Sequence, residues 1–289
     1  MTKKIRSAQR VRKLESVLKC PICESPVKVV DLKSLICSHN HTFDFAKQGY
    51  LNLMPYPTNS HYKKELFEAR HKIITESNLY AAVHETITKA IRAHADVSIN
   101  PFIIADLGCG EGSQLQKILD GCRSRAATGI GLDIAKEGIM MAAGRYESPI
   151  WLVADLAKTP LADRSVHVIL NMLSPSNYKE FKRVLVQGGL VIKVVPRPLY
   201  LKELRETLFE DDKKVYRNEE TVSRFKNHFR PLDSFRLTYT QKLHNAELEH
   251  LVRMTPLAWT ADQARIDAYI NQETAEITLD VEVLIGLNM

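Results

Sequence analysis

Phe102-Ile103-Ile104-Ala105-Asp106-Leu107-Gly108-Cys109-Gly110-Glu111-Gly112 is the stretch that decides the fold. It opens on an apolar run, as expected of a strand buried on both faces. It closes in a turn with glycine at alternate positions, and Ser113 to Leu119 continues as a helix. Strand, glycine turn and helix in that order make a ligand-binding bend, because glycine lets the backbone approach a bound molecule where a Cβ would collide. A second strand, Thr128-Gly129-Ile130-Gly131-Leu132-Asp133, ends in a carboxylate 23 residues after Gly110. That separation places an acidic side chain where ribose hydroxyls need an acceptor. A third strand, 150–154, ends in Asp155.

Working outward, strands are expected at 165–173, 190–195, 235–242 and 277–287, with helices at 178–186, 199–209, 219–229 and 246–254. Residues 61–95 are helical in composition, with a break near Ser77-Asn78. The total is seven strands, the number in a doubly wound α/β sheet whose last strand is inserted antiparallel. Ligands of such sheets bind outside the carboxyl ends of the strands, the edge that carries Asp106, Asp133, Asp155 and the run Asn171-to-Pro175. NAD and S-adenosylmethionine both use this geometry. Asp106 at the head of the turn opposes a pyrophosphate but suits the cationic aminoacyl end of S-adenosylmethionine. The turn also departs from Gly-x-Gly-x-x-Gly. Both features favour the methyl donor, and hence a class I (Rossmann-like) methyltransferase domain.

Composition bounds the rest. The chain has 289 residues, 45% hydrophobic and 26% charged, enough for about two domains. No apolar run approaches the roughly 18 residues that span a bilayer, so a cytoplasmic protein with no membrane partner is expected. The net charge is +6, and residues 1–19, with seven cations and Glu15 as their one anion, account for all of it. This segment reads as a basic flexible arm, with a solvated tail, a grip on phosphates and a mitochondrial presequence as its alternatives; Ile5, Val11, Leu14 and Val17 are spaced so that a helix could form on contact with an anion.

Three of the five cysteines lie in Cys20-Pro-Ile-Cys23 and Cys37-Ser-His-Asn-His41. Two such knuckles suit a tetrahedral zinc ion, because each short spacing turns two side chains toward one metal. His41 forms the commoner spacing and Asn40 can take the left-handed turn it needs; His39 is the other candidate. Two short strands, 26–30 and 34–36, are expected between the knuckles. Four protein ligands leave no open coordination position, so the metal is structural. The expected organisation is an arm at 1–19, a zinc-binding module at 20–58 and a methyltransferase domain at 59–289.

Taken together, Cys20-x-x-Cys23…Cys37-x-x-x-His41, Phe43-Asp44, Gly49-Tyr50, Asn52-Leu53, the glycine turn and Met254-Thr255-Pro256-x-Ala258-Trp259 resemble the RlmA-type 23S rRNA guanine-N1 methyltransferases. The resemblance spans residues 20 to about 289. It implies a zinc ribbon that helps recognise rRNA and methylation of guanine N1 in a 23S rRNA hairpin loop by S-adenosylmethionine. Cys20, Cys23, Cys37 and His41 match the family's metal ligands. Tyr80, Gln114 and Leu115 match cofactor-contacting positions beside Asp106, Gly108, Gly110, Asp133 and Asp155. Tyr200 stands where relatives have a cofactor-touching histidine, a departure from the pattern. One family branch is associated with resistance to tylosin-like macrolides, and Ser174-Pro175-Ser176-Asn177 suits it.

Guanine N1 carries a proton, so a base or relay is required. Asp155 and Asn171 lie at the correct edge, although Asp155 equally suits the adenine amino group and Asn171 a loop cap. RNA-facing cations are expected at Lys28, Lys33, Lys47, Lys63, Lys64 and Arg70. Trp151 reads as core, and Trp259 either packs or faces substrate. The rival readings are a methyltransferase for another RNA or a small molecule, and an RNA-binding ribbon on an inactive fold. A homodimer is compatible with the sequence.

Overall fold

The computed structural model describes residues 1–56, 62–96, 99–122, 127–209 and 217–289. The glycine turn sits at the centre of its sheet. Strand β5 (Phe102–Leu107) is buried throughout, as its apolar run requires, and pairs in parallel with β6 (Ala127–Asp133) and β8 (Val166–Met172). Beyond β6 lies β7 (Ile150–Val153), and beyond β8 lies β9 (Leu185–Pro196). The last strand, β11 (Thr274–Leu287), is inserted antiparallel between β9 and β10 (Arg230–His244). These are the seven expected strands.

An eighth strand joins the sheet. Strand β4 (Leu51–Asn52) pairs in parallel with β7. It comes from the zinc module, whose own sheet is β1 (Val27–Val30), β2 (Ser34–Cys37) and β3 (Thr42–Asp44). An open edge on β7 would leave unpaired backbone groups, and the ribbon's exit strand covers it. Leu35, Phe43, Phe45 and Leu51 share one apolar core with Ile130, Leu132 and Leu152 of the main sheet. The boundary expected at 58 lies outside the described residues.

The N-terminal segment is not the flexible arm that its charge predicts. It forms helix α1 (Lys3–Arg12), capped by the Thr2 side chain, and a 3-10 turn over Glu15–Val17. Ala8, Val11, Leu14 and Val17 are buried in the core shared with the ribbon. Ser7 Oγ donates to the Gly49 carbonyl at 2.5 Å, Arg6 pairs with Glu147 at 2.6 Å, and Glu15 accepts the Val29 N–H at 2.6 Å. The basic residues cover the outside of a helix whose small apolar face docks.

Helices α2 (Lys64–Glu76) and α3 (Ala81–His94) precede β5 and break at Asn78, which takes a left-handed conformation. Helix α4 (Ser113–Gly121) follows the glycine turn, and α5 (Lys136–Arg145) follows β6. A Cβ on Gly138 of α5 would lie 2.8 Å from the Gly110 carbonyl, so α5 packs directly on the turn. Helices α6 (Tyr178–Val184), α7 (Lys202–Leu208), α8 (Glu219–His228), α9 (Asn245–Met254) and α10 (Gln263–Ile270) complete the layers. Among the described residues, no helix is long and apolar enough to cross a membrane.

Candidate functional site: a cofactor cradle beside a zinc ribbon

The ligand atoms of Cys20, Cys23, Cys37 and His41 all lie within 4.8 Å of one another. Cys23 and Cys37 Sγ are 3.7 Å apart, and His41 Nδ1 is 3.4 Å from Cys37 Sγ and 3.5 Å from Cys20 Sγ. Tetrahedral zinc with bonds of about 2.3 Å to sulfur separates its sulfurs by about 3.8 Å, so these residues fit the ion. The knuckles close as expected. Asn40 takes φ 63°, its N–H reaching the Cys37 carbonyl at 2.9 Å, and the Glu24 N–H reaches the Cys20 carbonyl at 2.9 Å. His39 is exposed, with Nδ1 3.5 Å from Ser38 Oγ, so His41 is the fourth member of the cluster.

Above the carboxyl edge of β8 and β9 lies a cavity of about 570 Å³, lined by Arg70, Tyr80, Gln114, Ser174, Lys193 and Tyr200 among others. A second cavity of similar volume adjoins it. Asp155, Ile134 and Leu156 line that one, and Ser176, Tyr178 and Arg224 line both. Asp106, Gly108, Gly110, Leu115 and Asp133 line neither cavity. Gly108 has φ +93°, and a Cβ there would overlap Ser174 Oγ; one on Gly110 (φ +58°) would come within 3.2 Å of Arg70 and 3.4 Å of Phe67. The turn is thus packed as closely as only glycine permits.

Electrostatics single out this turn. Asp106 is 1% exposed and neither carboxylate oxygen has a hydrogen-bond partner. Burial pushes its pKa up to about 7, with Arg70 opposing and Asp133 and Glu111 adding to the rise. A buried carboxylate without donors is costly, and a ligand cation at this point would complete it. Asp133 accepts the Gly110 N–H and the Ala135 N–H, each at 2.8 Å, yet burial still raises its pKa. Arg70 lies 3.2 Å from Glu111. It therefore belongs to the cradle rather than to the RNA-facing cations among which it is expected.

The remaining expected residues separate into two groups. Tyr80 and Tyr200 share a hydrogen bond of 2.7 Å between their hydroxyls, so the departure from histidine at 200 still places a side chain in the cavity. The Gln114 side chain bonds His84, and Leu115 is fully buried in the core. Asn171 is also fully buried. Its Nδ2 lies within bonding distance of the Leu107 carbonyl (2.8 Å), Ser174 Oγ (2.7 Å) and the Pro175 carbonyl (2.9 Å). An amide so occupied fixes the loop after β8 and takes no proton, which removes it as the base. Asp155 accepts the Ala157 N–H at 2.8 Å and faces the second cavity. Trp151 is buried, whereas Trp259 is 51% exposed with its ring 5.4 Å from that of Tyr62.

Lys193 and Arg224, which line the first cavity, are functional candidates that sequence reasoning missed. Lys193 had one visible signal, a single cation inside the apolar run Leu190-Val191-Ile192-Lys193-Val194-Val195.

The sheet order, the glycine turn and the zinc cluster define a class I S-adenosylmethionine-dependent methyltransferase with an N-terminal zinc ribbon. Comparison with known proteins agrees: residues 18–60 match the family model of the RlmA N-terminal zinc ribbon, and residues 104–189 match a methyltransferase domain. The chain is 40% identical over 278 residues to a Bacillus subtilis strain 168 protein, YxjB, provisionally named as a 23S rRNA (guanine-N1)-methyltransferase. That match covers 94% of this chain and 97% of the relative. The chain is also 30% identical over 267 residues to the 23S rRNA (guanine(748)-N(1))-methyltransferase of Streptomyces fradiae, covering 91% of this chain and 94% of that one. The protein belongs to this RlmA-type family of zinc-ribbon methyltransferases.

Proposed function

We propose that the protein methylates N1 of a guanine in a hairpin loop of 23S rRNA. The observation that carries the reading is the zinc ribbon, tied by β4 and a shared core to the sheet that holds the cofactor cradle, in a chain whose relatives are named for this activity.

S-adenosylmethionine supplies the methyl group from its sulfonium centre. Asp106 would hold the ammonium group with its unpartnered carboxylate, and Asp133, which accepts two backbone N–H groups, would take the ribose hydroxyls. Gly108 and Gly110 let Ser174 and Arg70 pack closely on the turn. Asp155, Ile134 and Leu156 give the second cavity a polar group and two apolar walls, suited to an adenine with an exocyclic amino group. Tyr80, Gln114 and Leu115 complete the cofactor-contacting set by family resemblance, and Tyr200, bonded to Tyr80, takes the place of the family's histidine. Guanine N1 lies on the Watson–Crick edge, so the target base must be unpaired or extruded. The exposed cations Lys28, Lys33, Lys47 and Lys63 are available to its phosphates, and Lys64 is exposed but paired with Glu68.

Incubating the protein with 23S rRNA and methyl-labelled S-adenosylmethionine, then digesting the RNA to nucleosides, tests the reading. Label in 1-methylguanosine is expected. Label in another nucleoside, or only in small-molecule extracts, would move the protein to a different substrate. Light scattering checks the homodimer that accompanies this proposal, and tylosin susceptibility of a deletion strain checks a contribution to macrolide resistance.

A further inference from the structure

The cavity over the ends of β8 and β9 is lined by a buried amine to which the cofactor reading above gives no role. Lys193 is 4% exposed, in register with Asn171 of β8 and Leu284 of β11. Its Nζ donates to Asn171 Oδ1 at 2.6 Å and to the Ser174 carbonyl at 3.1 Å. Both partners only accept. A neutral amine has two N–H bonds and one lone pair, so these contacts use both hydrogens and leave the lone pair for the cavity that the side chain lines. Asn171 is held the right way round, because its Nδ2 is fixed on two carbonyls and Ser174 Oγ.

The charged surroundings agree. The ionisable groups lining the same cavity are Arg70 of α2, Tyr80, Tyr178 of α6, Tyr200 and Arg224 of α8; no carboxylate or histidine lines it among the described residues. Glu282, on β11 next but one to Leu284, is engaged by Ser234 Oγ at 2.6 Å. Burial, with no opposing anion, pushes the Lys193 pKa down to about 8. Burial pushes the Tyr80 hydroxyl well above its ordinary value, so it is the poorer acceptor.

We propose that Lys193 takes the proton that the reacting guanine loses from N1, with Asn171 and Ser174 as positioning residues. This rests on the guanine-N1 reading above. As the bond from N1 to the methyl carbon forms and the carbon–sulfur bond breaks, the sulfur keeps that bond's electron pair. The N1–H bond breaks, its pair stays with the ring, and the proton adds to Nζ. The resulting ammonium returns to the amine by losing the proton to water after the product leaves.

The test combines the pH dependence of single-turnover methyl transfer with Lys193→Met, Lys193→Arg and an NMR titration of lysine 13Cε signals in the unaltered protein. The rate should rise about tenfold per pH unit and level off near pH 8. Lys193→Met should lower it by about 10²- to 10⁴-fold while the cofactor Kd stays within about threefold, and Lys193→Arg should not restore it, because a guanidinium stays charged. The signal missing from Lys193→Arg should titrate near 8. A rate independent of pH from 6.5 to 9, or a Lys193→Met protein as fast as its parent, overturns the assignment. If Lys193→Met loses cofactor binding, the pH profile and titration of the unaltered protein decide. No methylation by the unaltered protein overturns the guanine reading and the lysine together, whereas methylation that survives Lys193→Met overturns the lysine alone.

Discussion

Asp106→Asn should stabilise the free protein and weaken its hold on S-adenosylmethionine, two effects of opposite sign from one atom. The carboxyl is buried without a hydrogen-bond partner and its pKa rises from 3.8 to about 7. Between those values the folded protein keeps a proton that the unfolded chain has released, so the stability it contributes is present below pH 3.8 and is lost as pH climbs toward 7. Three units at about 1.4 kcal/mol each make this roughly 4 kcal/mol, as an order of magnitude. Asparagine cannot ionise and removes the slope, so at pH 8 the variant should melt several degrees above its parent by calorimetry. Cofactor affinity moves the other way. A hydrogen bond between charged groups is worth about 1.5–3 kcal/mol, so titration calorimetry should show a Kd roughly 10- to 150-fold weaker. In the parent, affinity should improve as pH rises through about 7 and decline once the α-amino group, with a pKa of about 8, loses its charge. A variant that binds as tightly as the parent, or melts lower at pH 8, would refute the role given to Asp106.

Three further outcomes follow from the same contacts. Cys37→Ala should release zinc, measured by elemental analysis, and weaken rRNA binding more than cofactor binding; because ribbon and sheet share one core, calorimetry should still show a single transition, at lower temperature. Leu14→Ala should cost about 2–5 kcal/mol in urea unfolding, since α1 and the turn after it are docked rather than mobile; a change near zero would return residues 1–19 to a free arm. Tyr200→Phe removes the partner of a buried hydroxyl and should cost about 1–3 kcal/mol, seen in the same unfolding assay, with Tyr80→Phe/Tyr200→Phe recovering part of the loss.

The glycine turn, Asp133 and the zinc knuckles were legible because each is a local pattern whose residues are needed at fixed spacing. Asn40 in the second knuckle is an instance: its left-handed φ was foreseeable from residue type and position alone. The docking of α1 was not legible, because Ser7 and Ala8 are small, and the cations that surround them dominate any reading of that segment. Strand β4, two residues long, carries no periodicity and exists only because β7 presents an edge. Helix α5 contains Gly138 and Gly144, which lower its helical propensity, and its reason for being helical is the close packing of Gly138 on the Gly110 carbonyl. Lys193 was hidden for a related reason. A lysine within a strand reads as a solvated side chain, and only the position of Asn171 across the sheet shows that it is buried and bonded.

Primer extension on 23S rRNA, from cells that carry the gene and from cells that lack it, reads the methylation itself. A methyl group on guanine N1 blocks pairing and stops reverse transcriptase, so one stop in a hairpin loop should vanish with the gene and return when it is restored. An identical stop in cells lacking the gene, or no stop in either, would contradict methylation of 23S rRNA guanine N1 by this protein.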